Sequence, residues 1–151
     1  MADIDLKTLK KLRDETSASI ADCRRALDES NGDYKKALEW LKKRAAEIAA
    51  KKADRETSQG IVEAYIHQGG KVGVLVELLC ETDFVAKTDE FKHLAKEIGM
   101  QVAAMDPKDV DALLKQEYIR DGSKTIQDIV KEAIGKIGEN ILLKRFVRFE
   151  I

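Results

Sequence analysis

The sequence predicts an α+β protein in which three N-terminal helices precede a core of helices packed on a small antiparallel β-sheet. Apolar residues recur at helical spacing through roughly the first 45 residues. The spacing then changes to strand-like alternation between residues 61 and 78, before helical spacing returns. We therefore divide the chain into a helical domain (1–45), a basic helical extension or linker (46–59) and an α+β core (60–151).

Each of the first three helices is indicated by an apolar stripe and by residues that begin or end it. The first ends in the polar run at 14–17, and Ser19 followed by Asp22 forms a capping pattern that begins the second. The Asn-Gly pair at 31–32 ends the second helix, and Asp33 can cap the third. The stripes consist of Ile4, Leu6, Leu9 and Leu12; of Ile20, Cys23, Ala26 and Leu27; and of Tyr34, Ala37, Leu38 and Leu41.

A β-hairpin, three helices and a last strand are predicted for the core. Residues 61–66 and 72–78 are β-rich, and the Gln-Gly-Gly turn between them predicts the hairpin. Thr88 is expected to cap the next helix, and Asp106 before Pro107 to begin another. Gly138 is expected to end the final helix, and the tail from 141 to 151, which alternates from residue 144 onward, is predicted to form the last strand. The helical stripes are Phe91, Leu94, Ala95, Ile98 and Val102; Val110, Leu113 and Leu114; and Ile126, Ile129, Val130, Ala133, Ile134 and Ile137.

Composition and charge argue against several classes of protein. The 27 basic and 28 acidic residues leave a net charge of −1, whereas a dedicated nucleic-acid binder usually has a basic excess. No apolar run approaches the ~18 residues of a membrane span. Residues 1–5 lack the basic and apolar segments of a signal peptide, and the distant Cys23 and Cys80 favour a reducing compartment. We therefore expect a cytoplasmic protein.

Patterns typical of catalysis or of cofactor binding are also missing from the sequence. No Gly-rich phosphate loop occurs, so the chain is not expected to bind a nucleotide itself. His67 and His93 lack the spacing of metal ligands, and the cysteines form no Cys-x-x-Cys pair. Nothing near Ser17 or Ser19 indicates a catalytic triad. We expect no enzyme activity, no metal and no cofactor.

The most specific signal is a set of four segments that occur in order along the chain. Residues 81–87 read Glu-Thr-Asp-Phe-Val-Ala-Lys, and residues 136–141 read Lys-Ile-Gly-Glu-Asn-Ile. Residues 12–27 and the Ala-Ala-Lys-Lys-Ala run at 49–53 complete the set. Each segment resembles a motif of the elongation factor Ts family, and together they span nearly the whole chain.

This resemblance implies a function. Members of the family bind elongation factor Tu, the GTPase that delivers aminoacyl-tRNA, and promote release of its GDP. The aromatic residue of their Thr-Asp-Phe motif wedges between helices of the partner's G domain, and the aspartate perturbs the region that holds Mg²⁺. The N-terminal module resembles the family's ubiquitin-associated (UBA)-like domain, which docks on the same G domain. The resemblance implies that the partner-binding residues are Thr82, Asp83, Phe84, Val85, Leu12, Ile20 and Ala21.

Some residues depart from the family, and residue chemistry alone leaves one alternative open. Ser17 and Ser19 stand where the family has glycines, which predicts a differently shaped turn. Ile20 and Ala21 replace a bulkier methionine pair. From the residues alone, Asp83 could cap the next turn and Phe84 could pack into the core, as most phenylalanines do.

The short core implies a homodimer, because short family members pair two chains so that each supplies half of a composite core. In the last strand Phe146, Val147 and Phe149 are candidates for this interface, and the core of a single subunit is an equal alternative. A ribosome- or RNA-associated module is the second functional hypothesis. It would use the basic residues Lys42, Lys43, Arg44, Lys51, Lys52 and Arg55, although such runs usually form a solvated face. A UBA-type adaptor would use only residues 4–44 and would leave the remainder without a role.

Overall fold

The computed structural model describes residues 4–151, and its helices and strands form the α+β arrangement that the sequence predicts. The elements are α1 (Leu6–Thr16), α2 (Ile20–Glu29), α3 (Tyr34–Lys52), β1 (Gln59–Ile66), β2 (Val72–Cys80), α4 (Asp83–Ala86), α5 (Asp89–Met105), α6 (Val110–Lys115), β3 (Glu117–Tyr118), β4 (Asp121–Thr125), α7 (Ile126–Ile137) and β5 (Ile141–Glu150). The first three residues of the predicted helical domain, and of the segment inspected for a signal peptide, lie outside the described residues.

Helices α1, α2 and α3 pack around an apolar cluster of their own, and their predicted caps are confirmed. The Ser19 hydroxyl accepts a hydrogen bond from the Asp22 N–H at 3.0 Å, and the Asp33 carboxylate accepts one from the Lys36 N–H at 3.1 Å. Ser17 ends α1 in a left-handed conformation, φ 56°, without the glycine that favours it. The buried residues of this cluster are Leu9, Leu12, Cys23, Ala26, Leu27, Ala37 and Leu41.

The three-stranded sheet has β2 at its centre, with β1 and β5 paired antiparallel on either side. The predicted hairpin is therefore confirmed. The strand predicted for the tail from 141 to 151 is confirmed as β5, and a bulge interrupts its alternation near residue 144. Arg145 pairs with Glu77 and Leu143 pairs with Leu78, which leaves Lys144 without a counterpart on β2.

The two faces of this sheet are used differently. Helix α5 covers the inner face, where Phe146 lies opposite the buried Val76 and packs against the core. Val147 and Phe149 point to the other side, which we call the outer face. Phe146 therefore belongs to the core of its own subunit, whereas the other two candidates lie at the surface. The exposed large apolar residues of the outer face are Val62, Ile66, Leu75, Val147 and Phe149.

The second half of α3 packs against α7 and connects the helical module to the core. Its last residue is Lys52, and Ala49 belongs to the main core cluster, by which we mean the buried apolar residues of β2, α5, α7, β5 and the segments packed on them. Lys42 forms an ion pair with Asp128 of α7 at 3.1 Å. Burial tends to raise the pKa of Asp128, but hydrogen bonds from the Thr125 N–H and from Lys42 hold it below the ordinary value.

The predicted helix start at Asp106 and Pro107 is wrong. Asp106 instead ends α5 in a left-handed conformation, φ 44°, and α6 begins at Val110. Asp109 is the cap, and its carboxylate accepts a hydrogen bond from the Ala112 N–H at 2.7 Å. Because Asp106 adopts this conformation as the end of α5, it cannot take the extended conformation that Asp109 has as the cap of α6.

A short hairpin of β3 and β4 lies between α6 and α7 and is not predicted by the sequence. Its strands are short and carry no apolar alternation. Side chains fix it to α5 instead, since Tyr118 donates a hydrogen bond to the buried Glu97 and Arg120 Nε donates another at 2.6 Å. Over residues 4–151, no helix combines the length and the apolar character that crossing a membrane would require.

Candidate partner-binding site

The segment after the first hairpin forms a single helical turn, α4, that leaves one large apolar ring in solvent. The Thr82 hydroxyl caps this turn by accepting a hydrogen bond from the Val85 N–H at 3.4 Å. Ala86 is buried, and Val85 packs against the main core cluster. With that side of the turn anchored, the neighbouring Phe84 projects outward and is 87% exposed.

The exposure of Phe84 contradicts the alternative interpretation, in which this ring packs into the core. Phe91, a few residues later, is 0% exposed and shows the environment that most phenylalanines occupy. That interpretation also required Asp83 to cap the turn, whereas the observed cap is Thr82. The ring is therefore accessible to a partner at the tip of an anchored turn.

Asp83 adds a carboxylate beside the exposed ring. Its Oδ2 lies 2.6 Å from Lys87 Nζ, one helical turn later, and both side chains are more than half exposed. An ion pair in this position contributes little to stability, because solvent screens it and two long side chains must be ordered. Asp83 can therefore leave Lys87 for another cation at small cost.

The start of the turn is held by residues that the sequence analysis did not assign to this site. The Glu139 carboxylate accepts hydrogen bonds from the N–H groups of Glu81 and Thr82, at 3.1 and 2.9 Å. Cys80 donates its thiol hydrogen to the Thr82 carbonyl, and burial raises the pKa of this thiol. The motif at 136–141 was visible in the sequence, but only the fold brings it to the Phe84 turn.

Comparison with known proteins decides the family. The family model for elongation factor Ts matches residues 81–151. Elongation factor Ts of Thermoanaerobacter sp. (strain X514) is 42% identical over 192 residues, covering 97% of this chain and 94% of the relative. That of Thermotoga sp. (strain RQ2) is 42% identical over 192 residues, with 99% and 96% covered. This chain belongs to the elongation factor Ts family.

The relatives of this chain differ in length from it and from one another. The two alignments above run over 192 residues, although this chain has 151, so both relatives contain sequence that has no counterpart here. Elongation factor Ts of Nostoc sp. (strain PCC 7120) is 44% identical over 151 residues, covering 100% of this chain and 48% of the relative. The chain therefore spans about half the length of that longer family member.

The site residues implied for the elongation factor Ts N-terminal module lie on α1 and α2, away from the turn in sequence. Ile20 is 51% exposed and Ala21 is also exposed, at the beginning of α2. Leu12 is 0% exposed and lies inside the helical cluster, so its side chain supports the surface instead of forming it. The structure thus gathers Thr82, Asp83, Phe84 and Val85 in one turn, and keeps Ile20 and Ala21 on a separate module.

The basic segment proposed for RNA is largely occupied by contacts within the chain. Lys42 is paired with α7, Arg44 Nη1 lies 3.5 Å from Glu47, and Arg55 lies 3.6 Å from Glu81. Lys52 donates a hydrogen bond to the Gly138 carbonyl at 2.9 Å. These partners neutralise or orient most of the basic groups, which weakens the RNA hypothesis. Within residues 4–151, no cluster of three or more potential metal ligands is present.

Proposed function

We propose that this chain is a guanine nucleotide exchange factor for elongation factor Tu, which it engages with the exposed Phe84 near the partner's Mg²⁺–GDP site. The observation that carries the proposal is the Phe84 ring, 87% exposed on an anchored turn. Membership of the elongation factor Ts family supports the choice of partner. Exchange forms and breaks no covalent bond, so the factor needs no catalytic residue and no cofactor of its own.

The arrangement suits displacement of a metal-bound nucleotide. In a GTPase the diphosphate is held by Mg²⁺ and by backbone N–H donors, so a disturbance of either weakens binding. Phe84 would enter an apolar gap between helices of the G domain and shift them. Asp83 would bring a negative charge towards the Mg²⁺ region, after leaving its exposed contact with Lys87.

The energy available from the ring sets a limit on its contribution. Burial of one phenylalanine side chain yields roughly 1.5–3 kcal/mol. At about 1.4 kcal/mol per tenfold change in rate, this corresponds to roughly 10- to 100-fold acceleration. Additional binding energy must therefore come from other surfaces. By linkage, a factor that weakens GDP binding is itself bound more weakly when GDP is present, which allows nucleotide to dislodge it afterwards.

The N-terminal helical domain (1–45) is the second surface in this proposal. It would act as the family's UBA-like module, docking on the G domain through Ile20 and Ala21, while the linker (46–59) joins it to the core domain (60–151). The exposure of both side chains at the start of α2 supports this assignment. Isoleucine and alanine offer a small apolar contact, so this surface would add to the binding energy of Phe84 without replacing it.

The outer face of the sheet supports the proposed homodimer. Three adjacent strands expose apolar side chains there, and Phe149 alone is 72% exposed. Leu75 and Val147 are directly paired across β2 and β5, so their side chains form one continuous surface. An apolar sheet face is stable when it packs on another sheet, and a second copy of this chain would supply one by twofold symmetry.

The test is the release of fluorescent GDP from elongation factor Tu, followed by stopped-flow after mixing with this protein and excess unlabelled nucleotide. We expect the release rate to rise with the concentration of the factor and then to saturate. A release rate that stays at the value for elongation factor Tu alone would refute the proposed function. We also propose a cytoplasmic location, which fractionation of the cells followed by immunoblotting would test.

A further inference from the structure

The carboxylate of Glu139, in the connection between α7 and β5, lies at the base of the Phe84 turn and hydrogen-bonds to it. Its Oε1 accepts from the Glu81 N–H at 3.1 Å and from the Thr82 N–H at 2.9 Å. Its Oε2 accepts from the Thr82 hydroxyl at 2.7 Å. The same hydroxyl caps the turn that carries Phe84. Both oxygens of Glu139 are thus committed to the two residues that precede the turn.

The residues on either side of Glu139 fasten it in place and connect it to the linker. The Asn140 N–H donates to Glu81 Oε1 at 2.8 Å, so the two segments bind each other reciprocally. The Asn140 side chain donates to the Arg55 carbonyl at 2.9 Å, and Lys52 donates to the Gly138 carbonyl at 2.9 Å. The segment from Gly138 to Asn140 therefore joins the Phe84 turn to the end of α3.

A turn of this kind needs such support to hold a direction. Helix α4 has only four residues, and an isolated helix of this length is not stable, because nucleation is unfavourable. Phe84 itself is 87% exposed and does not belong to the core, so its own contacts cannot fix its direction. The orientation of the ring is therefore set by the backbone of the turn, which Val85 and Ala86 anchor on one side and Glu139 holds at its start.

We propose that Glu139 is a positioning residue for nucleotide exchange, which fixes the direction of Phe84 through three hydrogen bonds to Glu81 and Thr82. This role rests on the proposed function, in which Phe84 enters the partner. Glu139 itself does not contact the partner in this scheme. Its contribution is to keep the turn in the conformation that binds, so that ordering the turn is not required at the moment of association.

The test compares Glu139→Ala and Glu139→Gln with a matched control, Glu132→Gln. Glu132 is also a half-buried, paired glutamate of this region, but its partner is Lys124, at 3.1 Å, and it has no bond to the turn. The first measurement is amide hydrogen exchange of the turn in the free protein. We expect the Thr82 amide to exchange at least about tenfold faster in Glu139→Ala, and close to the wild-type rate in Glu132→Gln.

The second measurement is the saturating rate of GDP release from elongation factor Tu, at a temperature where far-UV circular dichroism shows every variant to be folded. We expect Glu139→Ala to reduce the acceleration about tenfold, because the turn must be ordered on binding. Glu139→Gln should retain most of it, since the amide oxygen can still accept from both N–H groups. In a Phe84→Ala background, the effect of Glu139→Ala should fall below about twofold.

The outcomes separate this inference from the proposed function. Wild-type acceleration by Glu139→Ala, or equal effects of Glu139→Ala with and without Phe84, would overturn the positioning role while the exchange function stands. Failure of the wild-type protein to accelerate GDP release would overturn the proposed function, and with it any role of Glu139 in exchange. A loss in Glu139→Ala that requires Phe84, with partial rescue by glutamine, would establish the role.

Discussion

Replacement of Phe84 by alanine should slow nucleotide release while leaving the fold intact. The ring is 87% exposed and is not part of the core cluster, so its removal opens no cavity. We expect the free energy of unfolding to change by less than about 0.5 kcal/mol, as for other surface substitutions. Phe91→Ala provides the contrast, because Phe91 is 0% exposed and its truncation should cost about 3–5 kcal/mol.

The expected loss of exchange activity follows from the same exposure. If the ring passes from solvent into the partner, alanine forfeits most of about 1.5–3 kcal/mol of burial energy. The acceleration of GDP release should then fall roughly 10- to 100-fold, at about 1.4 kcal/mol per factor of ten. The residual activity should be measurable, because the helical domain and the rest of the core still bind.

Stopped-flow release of fluorescent GDP measures this loss directly, and urea unfolding of the same preparations measures stability. Ile119→Ala is a suitable control, because Ile119 is another exposed apolar residue and lies in the segment between β3 and β4. Its release rate should match the wild type. If Phe84→Ala accelerates GDP release as fully as the wild type, Phe84 does not insert into the partner as proposed. If Phe84→Ala instead lowers the free energy of unfolding strongly, the ring packs within its own fold, against our conclusion.

Three further predictions concern stability and assembly. Gly60→Ala should lower the free energy of unfolding, measured in urea, by at least about 2 kcal/mol, because its Cβ would lie 2.2 Å from the Leu78 carbonyl oxygen. Gly69→Ala should lower it less, because a Cβ at that position meets no atom within 4 Å. Asp128→Asn should be less stable than wild type by about 1 kcal/mol at pH 7. The pKa of Asp128 is lower in the folded protein than in the unfolded chain, so its carboxylate stabilises the fold at any pH above the unfolded pKa. This stabilisation is lost as the pH falls through the folded pKa, so the thermal melting curves of the two proteins should converge below about pH 4. Leu75→Asp should convert the proposed dimer into a folded monomer in sedimentation velocity experiments, and a wild-type chain that is monomeric at micromolar concentration would contradict the dimer.

Helix ends were well predicted wherever one residue supplied an unambiguous local signal. Ser19, Asp33 and Thr88 each cap the helix that the sequence assigned to them, and Gly138 ends α7 in a left-handed conformation, φ 88°. These signals are reliable because a cap is made between residues two or three positions apart. The prediction failed at Asp106, because that residue ends α5 in a left-handed conformation and Asp109 caps α6 instead.

The Phe84 turn was predicted in part. The motif at 81–87 and the order of the other motifs were sufficient to indicate the family, and the comparisons confirm it. The motifs could not show that Leu12 is buried while Ile20 is exposed, since both residues lie on amphipathic helices with similar apolar spacing. Nor could they show Glu139 beneath the turn, because hydrogen bonds between distant segments leave no periodic pattern in either one.

By itself, the sequence determined the order of the longer helices and strands, without α4 and the β3–β4 hairpin, most of the helix caps, the family and the motif that carries Phe84. These are properties of neighbouring residues, and the physical forces behind them act within one or two turns of the chain. Only the tertiary structure decided that Phe84 faces solvent, that Phe146 faces inward and that Glu139 holds the turn. Exposure and long-range hydrogen bonding depend on which distant segment packs against a residue, and no local pattern encodes that packing.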